Sequence, residues 1–258
     1  MRKFSDLHLR PSLADPNHTK KMISKSSKLG YRLIGIPVQP RFKRDTIQEL
    51  RRICSDVKID LATRLDLTPD TPHELLLHLR RFRRRFELVS VRCESKSVAR
   101  QAAKDRRVDI LSFSATNLRK RFFDRAEAEL ASKALSTIEV DMATLLLLKR
   151  PSKIRLLSRL RREMAIAKKL DVPVILSSGA KDLHAMRSPK DYAALAALFD
   201  IPQESALCAL SENPVAIVKR NREKLSEDYI APGIRIASRP RKEPIVSTSK
   251  KTLSPPGN

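Results

Sequence analysis

Short apolar runs alternate with longer amphipathic segments along most of this chain, and this alternation limits the possible folds more than any other feature. Such near-continuous apolar runs are typical of parallel strands that are buried on both faces. Amphipathic segments between them predict helices that cover the sheet. The predicted strands are Phe4–Leu9, Arg32–Pro37, Val57–Leu65, Phe86–Arg92, Asp109–Phe113, Thr137–Asp141 and Pro173–Leu176. The helices predicted between them are Thr19–Leu29, Thr46–Cys54, Thr71–Arg85, Ser97–Arg106, Arg119–Leu135 and Lys153–Leu170.

The sixth of these helices has the clearest periodicity. Apolar residues recur there at steps of three and four and predict one buried stripe: Ile154, Leu157, Leu160, Met164 and Ala167. After the seventh strand the pattern becomes helical, over Pro189–Phe199, Gln203–Leu210 and Pro214–Lys224, and no eighth strand is evident. The sequence therefore predicts an α/β fold, an irregular TIM-like (β/α) barrel with seven clear strands and extra C-terminal helices. A doubly wound open sheet is the alternative.

Two regions follow from composition. The 258 residues suffice for one large domain, and we assign the barrel to residues 1–234. Residues 235–258 contain four prolines, six basic residues and one acid, which predicts a disordered basic tail. This tail could contact RNA or be a dispensable terminus.

The charge balance indicates the class of partner. Lys and Arg number 53 against 29 Asp and Glu, which gives a formal net charge of +24 and favours a polyanion such as nucleic acid. Only 4% of residues are aromatic, so phosphate contacts are expected rather than base stacking. No apolar run is long enough to cross a bilayer, and no signal peptide is evident. The three cysteines form no CxxC pair, which fits the cytoplasm.

Polar side chains at the carboxyl ends of the predicted strands are the candidates for chemistry, since barrel enzymes place their sites there. Four of them could form a metal site: Asp6, His8, Asp66 and Asp141. The set is poor in histidine for a metal-dependent phosphoesterase. The alternative is that the carboxylates of Asp6 and Asp66 pair with Arg64, Arg92 or another basic neighbour.

Two basic segments are candidates for phosphate binding. Residues 80–85 contain five arginines, so Arg83, Arg84 and Arg85 could contact RNA or an acidic partner, or form a solvated helix face. Exposed N–H groups of the Ser177-Ser178-Gly179 loop could also hold a phosphate beside Lys181 and Arg187. Arg187 could instead cap the preceding loop or pair with Asp191. The chain contains no Walker loop and no nucleophile elbow.

An ordered set of motifs resembles one family. The motifs span about residues 3 to 222 and are Phe4-Ser-Asp-Leu-His-Leu9, Tyr31–Pro37, Thr63-Arg-Leu-Asp-Leu67, Val89-Ser-Val-Arg92, Val108-Asp-Ile-Leu-Ser-Phe113, Val174-Ile-Leu-Ser-Ser-Gly-Ala180, Met186-Arg-Ser-Pro-Lys-Asp-Tyr192, Ser211-Glu-Asn-Pro214 and Lys219-Arg-Asn221. Together they resemble ribonuclease P protein component 3, the thirty-kilodalton subunit of archaea and eukaryotes.

The resemblance implies a barrel related to the polymerase and histidinol phosphatase superfamily. It implies a subunit of ribonuclease P, the endoribonuclease that removes the 5′ leader from precursor tRNA, in a cytoplasmic and archaeal setting. The expected partners are the RNase P RNA, precursor tRNA, component 2 and other protein subunits, with a heterotetramer of two copies each of components 2 and 3.

This chain is then expected to carry no catalytic residue and no cofactor of its own, because Mg²⁺ is held through the RNA. The residues expected to bind RNA are Arg64, Arg83, Arg84, Arg85, Arg92, Ser177, Ser178, Lys181 and Arg187. A metal-dependent phosphoesterase on the same barrel, or a basic RNA-binding scaffold, is the alternative function.

Overall fold

The sheet of the computed structural model, which describes residues 2–41, 44–231 and 234–235, contains seven parallel strands in sequence order. Each strand pairs with the next one along the chain, whereas a doubly wound sheet would reverse direction at a switch point. The strands are β1 Ser5–Asp6, β2 Leu33–Pro37, β3 Asp60–Leu67, β4 Leu88–Arg92, β5 Ile110–Ser112, β6 Thr137–Asp141 and β7 Val174–Ser177. The predicted TIM-like barrel is therefore confirmed.

Ten α-helices accompany the strands in the described residues. They are α1 Pro16–Lys28, α2 Arg44–Asp56, α3 Pro72–Phe82, α4 Lys96–Lys104, α5 Arg125–Ala134, α6 Met142–Leu147, α7 Arg150–Lys169, α8 Pro189–Ala196, α9 Gln203–Ala209 and α10 Glu212–Leu225. Local signals fix several helix starts. The Thr71 and Asp124 side chains accept backbone N–H groups at the starts of α3 and α5, and Ser188 forms a capping box with Asp191. None of the helices is long and apolar enough to span a membrane.

The structure differs from the sequence prediction in several places. The first strand has only two paired residues because the chain turns after Asp6. A short helix, α6, precedes α7 and was not predicted, and α7 turns Ile154 outward. An antiparallel hairpin, β8 Tyr229–Ala231 with β9 Ile234–Arg235, follows α10 outside the barrel. Apart from Arg235, which pairs in β9, the predicted tail lies outside the described residues.

Apolar residues form two layers, one outside the strands and one inside the barrel. The larger layer packs the outer faces of the strands against the helices. The interior layer is smaller, and Ile217 and Val218 of α10 close it at the amino-terminal ends of the strands. Its other buried members are Leu7, Leu33, Ala62, Leu88, Ile110 and Ile175. Helix α10 therefore closes the amino-terminal end of the barrel with apolar side chains. The polar side chains of the interior lie toward the carboxyl-terminal end.

The barrel has a seam between β7 and β1, because no strand ladder joins them in the described residues. Individual hydrogen bonds cross this seam instead. The Ser178 N–H donates to the Asp6 carboxylate at 2.8 Å, and the Arg10 N–H donates to the Ala180 carbonyl at 2.9 Å. At the opposite end of β1, the Ser5 N–H donates to the Leu210 carbonyl at 2.7 Å. Helices and loops thus replace an eighth strand.

Candidate functional site

The centre of the barrel is occupied by the guanidinium of Arg64, which has no exposed surface. Two of its nitrogens lie 2.6 Å from the two carboxylate oxygens of Glu139, and Nε lies 2.6 Å from Asp66 Oδ1. The Leu7 carbonyl and the Ser90 hydroxyl accept its remaining hydrogen bonds. All five N–H donors are used. The prediction that Arg64 contacts RNA is therefore wrong, and its pairing with Asp66 agrees with the alternative drawn from the sequence.

His8 is a second buried cation beside this arginine. Its Nδ1 lies 2.7 Å from Asp141 Oδ1, and its Nε2 lies 3.2 Å from Asp66 without hydrogen-bond geometry. Burial and Arg64 lower the pKa of His8, but Asp141 and Glu139 outweigh them and raise it to about 10. The imidazole is therefore protonated at neutral pH. Two cations and three carboxylates share the barrel centre.

The predicted metal ligands do not fit a divalent ion in this arrangement. His8, Glu139 and Asp141 offer ligand atoms within 4.8 Å of one another. A metal ion requires an unprotonated imidazole and carboxylate oxygens that are free to coordinate. Here the His8 ring is hydrogen-bonded directly to Asp141, and Arg64 binds both oxygens of Glu139. The structure brings His8, Asp66 and Asp141 together as predicted, but as an ion-pair network.

Asp6 lies apart from that network, on the seam. Its Oδ1 accepts the backbone N–H groups of Ser178 and His8, and no cation pairs with it among the described residues. Burial raises its pKa, and these hydrogen bonds lower it only in part. The strand ends after Asp6, and the two side chains have different partners, because His8 binds Asp141 and Asp6 binds backbone N–H groups. Of the four residues that could have formed a metal site, the structure thus brings three together and places Asp6 outside their network.

The loop after β7 was predicted to hold a phosphate with exposed N–H groups. Ser177 and Ser178 are buried, and the Ser177 hydroxyl donates to Glu139. The Ser178 N–H is bound by Asp6 and the Ala180 N–H by the Ser178 hydroxyl. The prediction that these serines bind a phosphate is therefore wrong, because their polar groups are used inside the fold. Gly179 has a φ of +60°, and a Cβ there would lie 2.7 Å from Cγ of Asp141.

A cavity of about 410 Å³ opens above the ion-pair network at the carboxyl ends of the strands. Four cations line it: Arg10, Arg92, Lys181 and Arg121, the last buried in an ion pair with Glu163. Arg92 pairs with Glu94 at 2.8 Å, whereas Lys181 is exposed. Arg187 is exposed but donates to the carbonyls of His184 and Met186, so it caps the preceding turn. RNA contact by Arg92, Lys181 or Arg187 stays a prediction.

The arginine run lies in the turn between α3 and β4, at the amino-terminal end of the barrel. Arg84 and Arg85 are exposed, and Arg85 donates to the Pro40 carbonyl at 2.9 Å. Arg83 turns inward, where it binds the Phe86 carbonyl and lies 3.3 Å from Asp109. The predicted patch therefore divides into one anchored and two exposed arginines.

Comparison with known proteins decides the family. The family model described as "RNase P subunit p30" matches residues 3–226. The chain belongs to this RNase P subunit family. It is therefore a protein subunit of RNase P, the endoribonuclease that removes the 5′ leader from precursor tRNA.

Curated members of the RNase P family and one solved structure resemble this chain along most of its length. "Ribonuclease P protein component 3" of Methanococcoides burtonii is 26% identical over 91% of this chain and 94% of its own. The protein of the same name from Methanothermobacter thermautotrophicus is 25% identical over 91% of this chain and 95% of its own. A chain from "cryo-EM structure of archaeal Ribonuclease P with mature tRNA" superposes with a TM-score of 0.78. It is 21% identical, and the match covers 93% of this chain and 100% of that one.

Proposed function

We propose that this RNase P subunit contributes no catalytic group and instead holds RNA through surface cations. The observation that carries the proposal is the Arg64 guanidinium at the barrel centre, which binds the carboxylates that a metallohydrolase would offer to metal ions. Phosphodiester cleavage by a divalent ion needs open coordination positions. The barrel thus serves as a rigid body that carries positive charge to the RNA.

The surplus charge supports this role. Inside the barrel, the charges of two cations and three carboxylates nearly cancel, whereas the chain as a whole has a formal net charge of +24. Almost all of that surplus must therefore lie outside the barrel centre, where it can neutralise phosphates. We further propose that Mg²⁺ for the reaction is held by the RNA and not by this chain.

The proposed partners follow from the names of the relatives. Several relatives are called component 3, and one solved match comes from an archaeal RNase P complex with mature tRNA. We propose that this chain binds the RNase P RNA and precursor tRNA. We also propose that it pairs with component 2 in a heterotetramer of two copies each, within a cytoplasmic particle.

Reconstitution tests the proposal. The full chain is incubated with precursor tRNA and Mg²⁺, alone and with the RNase P RNA and the other protein subunits. Cleavage at the 5′ leader junction is expected only in the complete mixture, and omission of this chain should slow it. Cleavage at the correct junction by the chain alone, dependent on a divalent ion, would show a metallohydrolase instead.

A further inference from the structure

A cluster of cations surrounds one buried carboxylate at the amino-terminal end of the barrel. Asp109 has no exposed surface and stands at the start of β5. Arg83 approaches it from the α3–β4 turn, with Nη2 3.3 Å from Oδ2. Arg220 approaches it from α10, with Nη2 3.4 Å from Oδ1. One negative charge is thus shared by two arginines.

Two more cations lie beside this pair. Lys224 is one helical turn after Arg220, and Arg106 lies in the loop before β5; both are exposed. The Lys224 amine is partly screened from water, and this partial burial and then the charges of Arg220, Arg83 and Arg106 lower its pKa, while Asp109 offsets only part of this. Arg83 and Arg220 contact Asp109 directly, and Arg106 and Lys224 add two charges beside them, so the group of four cations and one carboxylate has a surplus of three positive charges. We call Arg83, Arg106, Arg220 and Lys224 the Asp109 cluster.

Backbone carbonyls hold Arg83 and Arg220, two of the three arginines of the Asp109 cluster, in place. The Arg83 guanidinium donates to the Phe86 carbonyl at 3.0 Å, and that of Arg220 to the Leu135 carbonyl at 3.1 Å. Neither arginine forms a short ion pair with Asp109. Arginines anchored in this way lose little side-chain entropy when they bind a phosphate. Both guanidiniums remain partly exposed, and a guanidinium forms charge-assisted hydrogen bonds with phosphate oxygens.

We propose that the Asp109 cluster is an RNA backbone site, at the end of the barrel opposite to the carboxyl ends of the strands. This inference rests on the proposed function and names the surface that would carry it out. The ligand is the phosphodiester of the RNase P RNA, held by cations from the α3–β4 turn, the loop before β5 and α10. Arg84, exposed in the same turn, extends the surface. An acidic protein surface is the competing ligand.

Salt-dependent binding of the full chain to its RNase P RNA tests the site. The variant Arg106→Ala/Lys224→Ala removes two exposed charges and leaves the anchored arginines intact. The control Lys20→Ala/Lys21→Ala removes two exposed charges from α1. Each phosphate contact costs roughly threefold in affinity between about 50 and 200 mM salt. The cluster variant should therefore reduce the wild-type loss over this range by about tenfold, and the control should not.

The outcomes separate this inference from the proposed function. Equal melting temperatures of the two double variants show that folding is not the cause. A salt slope unchanged in the cluster variant, with the wild type binding RNA, overturns the site but keeps the function. An unchanged slope with lost binding to component 2 assigns the Asp109 cluster to a protein partner. A wild type that neither binds the RNA nor stimulates cleavage overturns the proposed function itself.

Discussion

The two ends of this barrel differ in how their charged side chains are paired. At the carboxyl ends of the strands, Arg64 and His8 pair with Asp66, Glu139 and Asp141 inside the barrel. At the amino-terminal ends, the Asp109 cluster sets four cations against one carboxylate. In the first arrangement, the charges of two cations and three carboxylates largely offset one another inside the barrel. Among the described residues, the second has a surplus of positive charge, which favours an anionic partner.

The difference teaches where to look for function on this fold. Barrel enzymes work at the carboxyl ends of their strands, so sequence reasoning directs attention there. In this chain the charged side chains at that end pair with one another inside the barrel. A buried histidine among carboxylates often marks a catalytic or metal site. Whether it does so depends on how many of its hydrogen-bonding atoms are already paired with neighbouring side chains.

Replacement of Arg64 should have the largest effect of the changes that test this comparison. Arg64→Met leaves Glu139 buried without its cation, so the free energy of unfolding should fall by about 3–5 kcal/mol. Urea unfolding followed by circular dichroism measures this. Arg52→Met, which breaks an exposed pair with Glu49, is the matched control and should cost less than about 1 kcal/mol. Equal costs would mean that the central network does not stabilise the barrel.

Neutralising Asp109 should have a smaller effect on stability and an opposite effect on binding. Asp109→Asn weakens a buried acceptor of the Val89 N–H and removes the charge that Arg83 and Arg220 share, so about 1–3 kcal/mol should be lost. RNA affinity should rise, because the local positive charge increases by one. Filter binding at fixed salt measures the change. Weaker binding would show that Asp109 matters more for orienting the arginines than for cancelling their charge.

The third expected effect is a pH dependence that comes from His8. Asp141, Glu139 and Asp66 face its imidazole, as does the cation of Arg64. Burial and Arg64 lower the pKa of His8, but Asp141 and Glu139 outweigh them and raise it from 6.5 to about 10. A raised pKa in the folded state contributes stability that is complete below about pH 6.5 and is lost as pH rises through 10. The melting temperature should therefore drop less between pH 7 and 10 in His8→Gln than in the wild type. Parallel curves would contradict a protonated His8.

Much of the fold followed from the sequence because strand and helix periods differ. All seven strands appear in the predicted order, and Asp66 pairs with Arg64, in agreement with the alternative drawn from the sequence. Side chains two positions apart on a strand share a face, so the spacing of Glu139 and Asp141 on β6 indicates that both point into the barrel. This spacing was not used to predict the site from the sequence. Helix α6 was missed because its apolar residues run without the 3.6-residue period that marks an exposed helix.

The candidate site was less predictable because it depends on contacts between distant segments. Nothing near Ser178 in sequence shows that Asp6 uses its N–H, since the two residues lie 172 positions apart. Likewise, the Arg83–Arg85 run gives no sign that Arg83 turns toward Asp109 while Arg84 faces solvent. Charge runs predict that cations are present, but only the fold decides which of them are already paired.

The seam between β7 and β1 has a consequence for synthesis on the ribosome. The Asp6 carboxylate emerges 172 residues before the Ser178 amide that binds it. At roughly 5–20 residues per second, translation separates the two partners by about 10–30 s. During that interval one edge of β1 is unpaired, and the side chain of Asp6, which is buried in the folded protein, is exposed to water. The nascent barrel is therefore complete only after β7 has left the exit tunnel, and chaperones could protect the open edge until then.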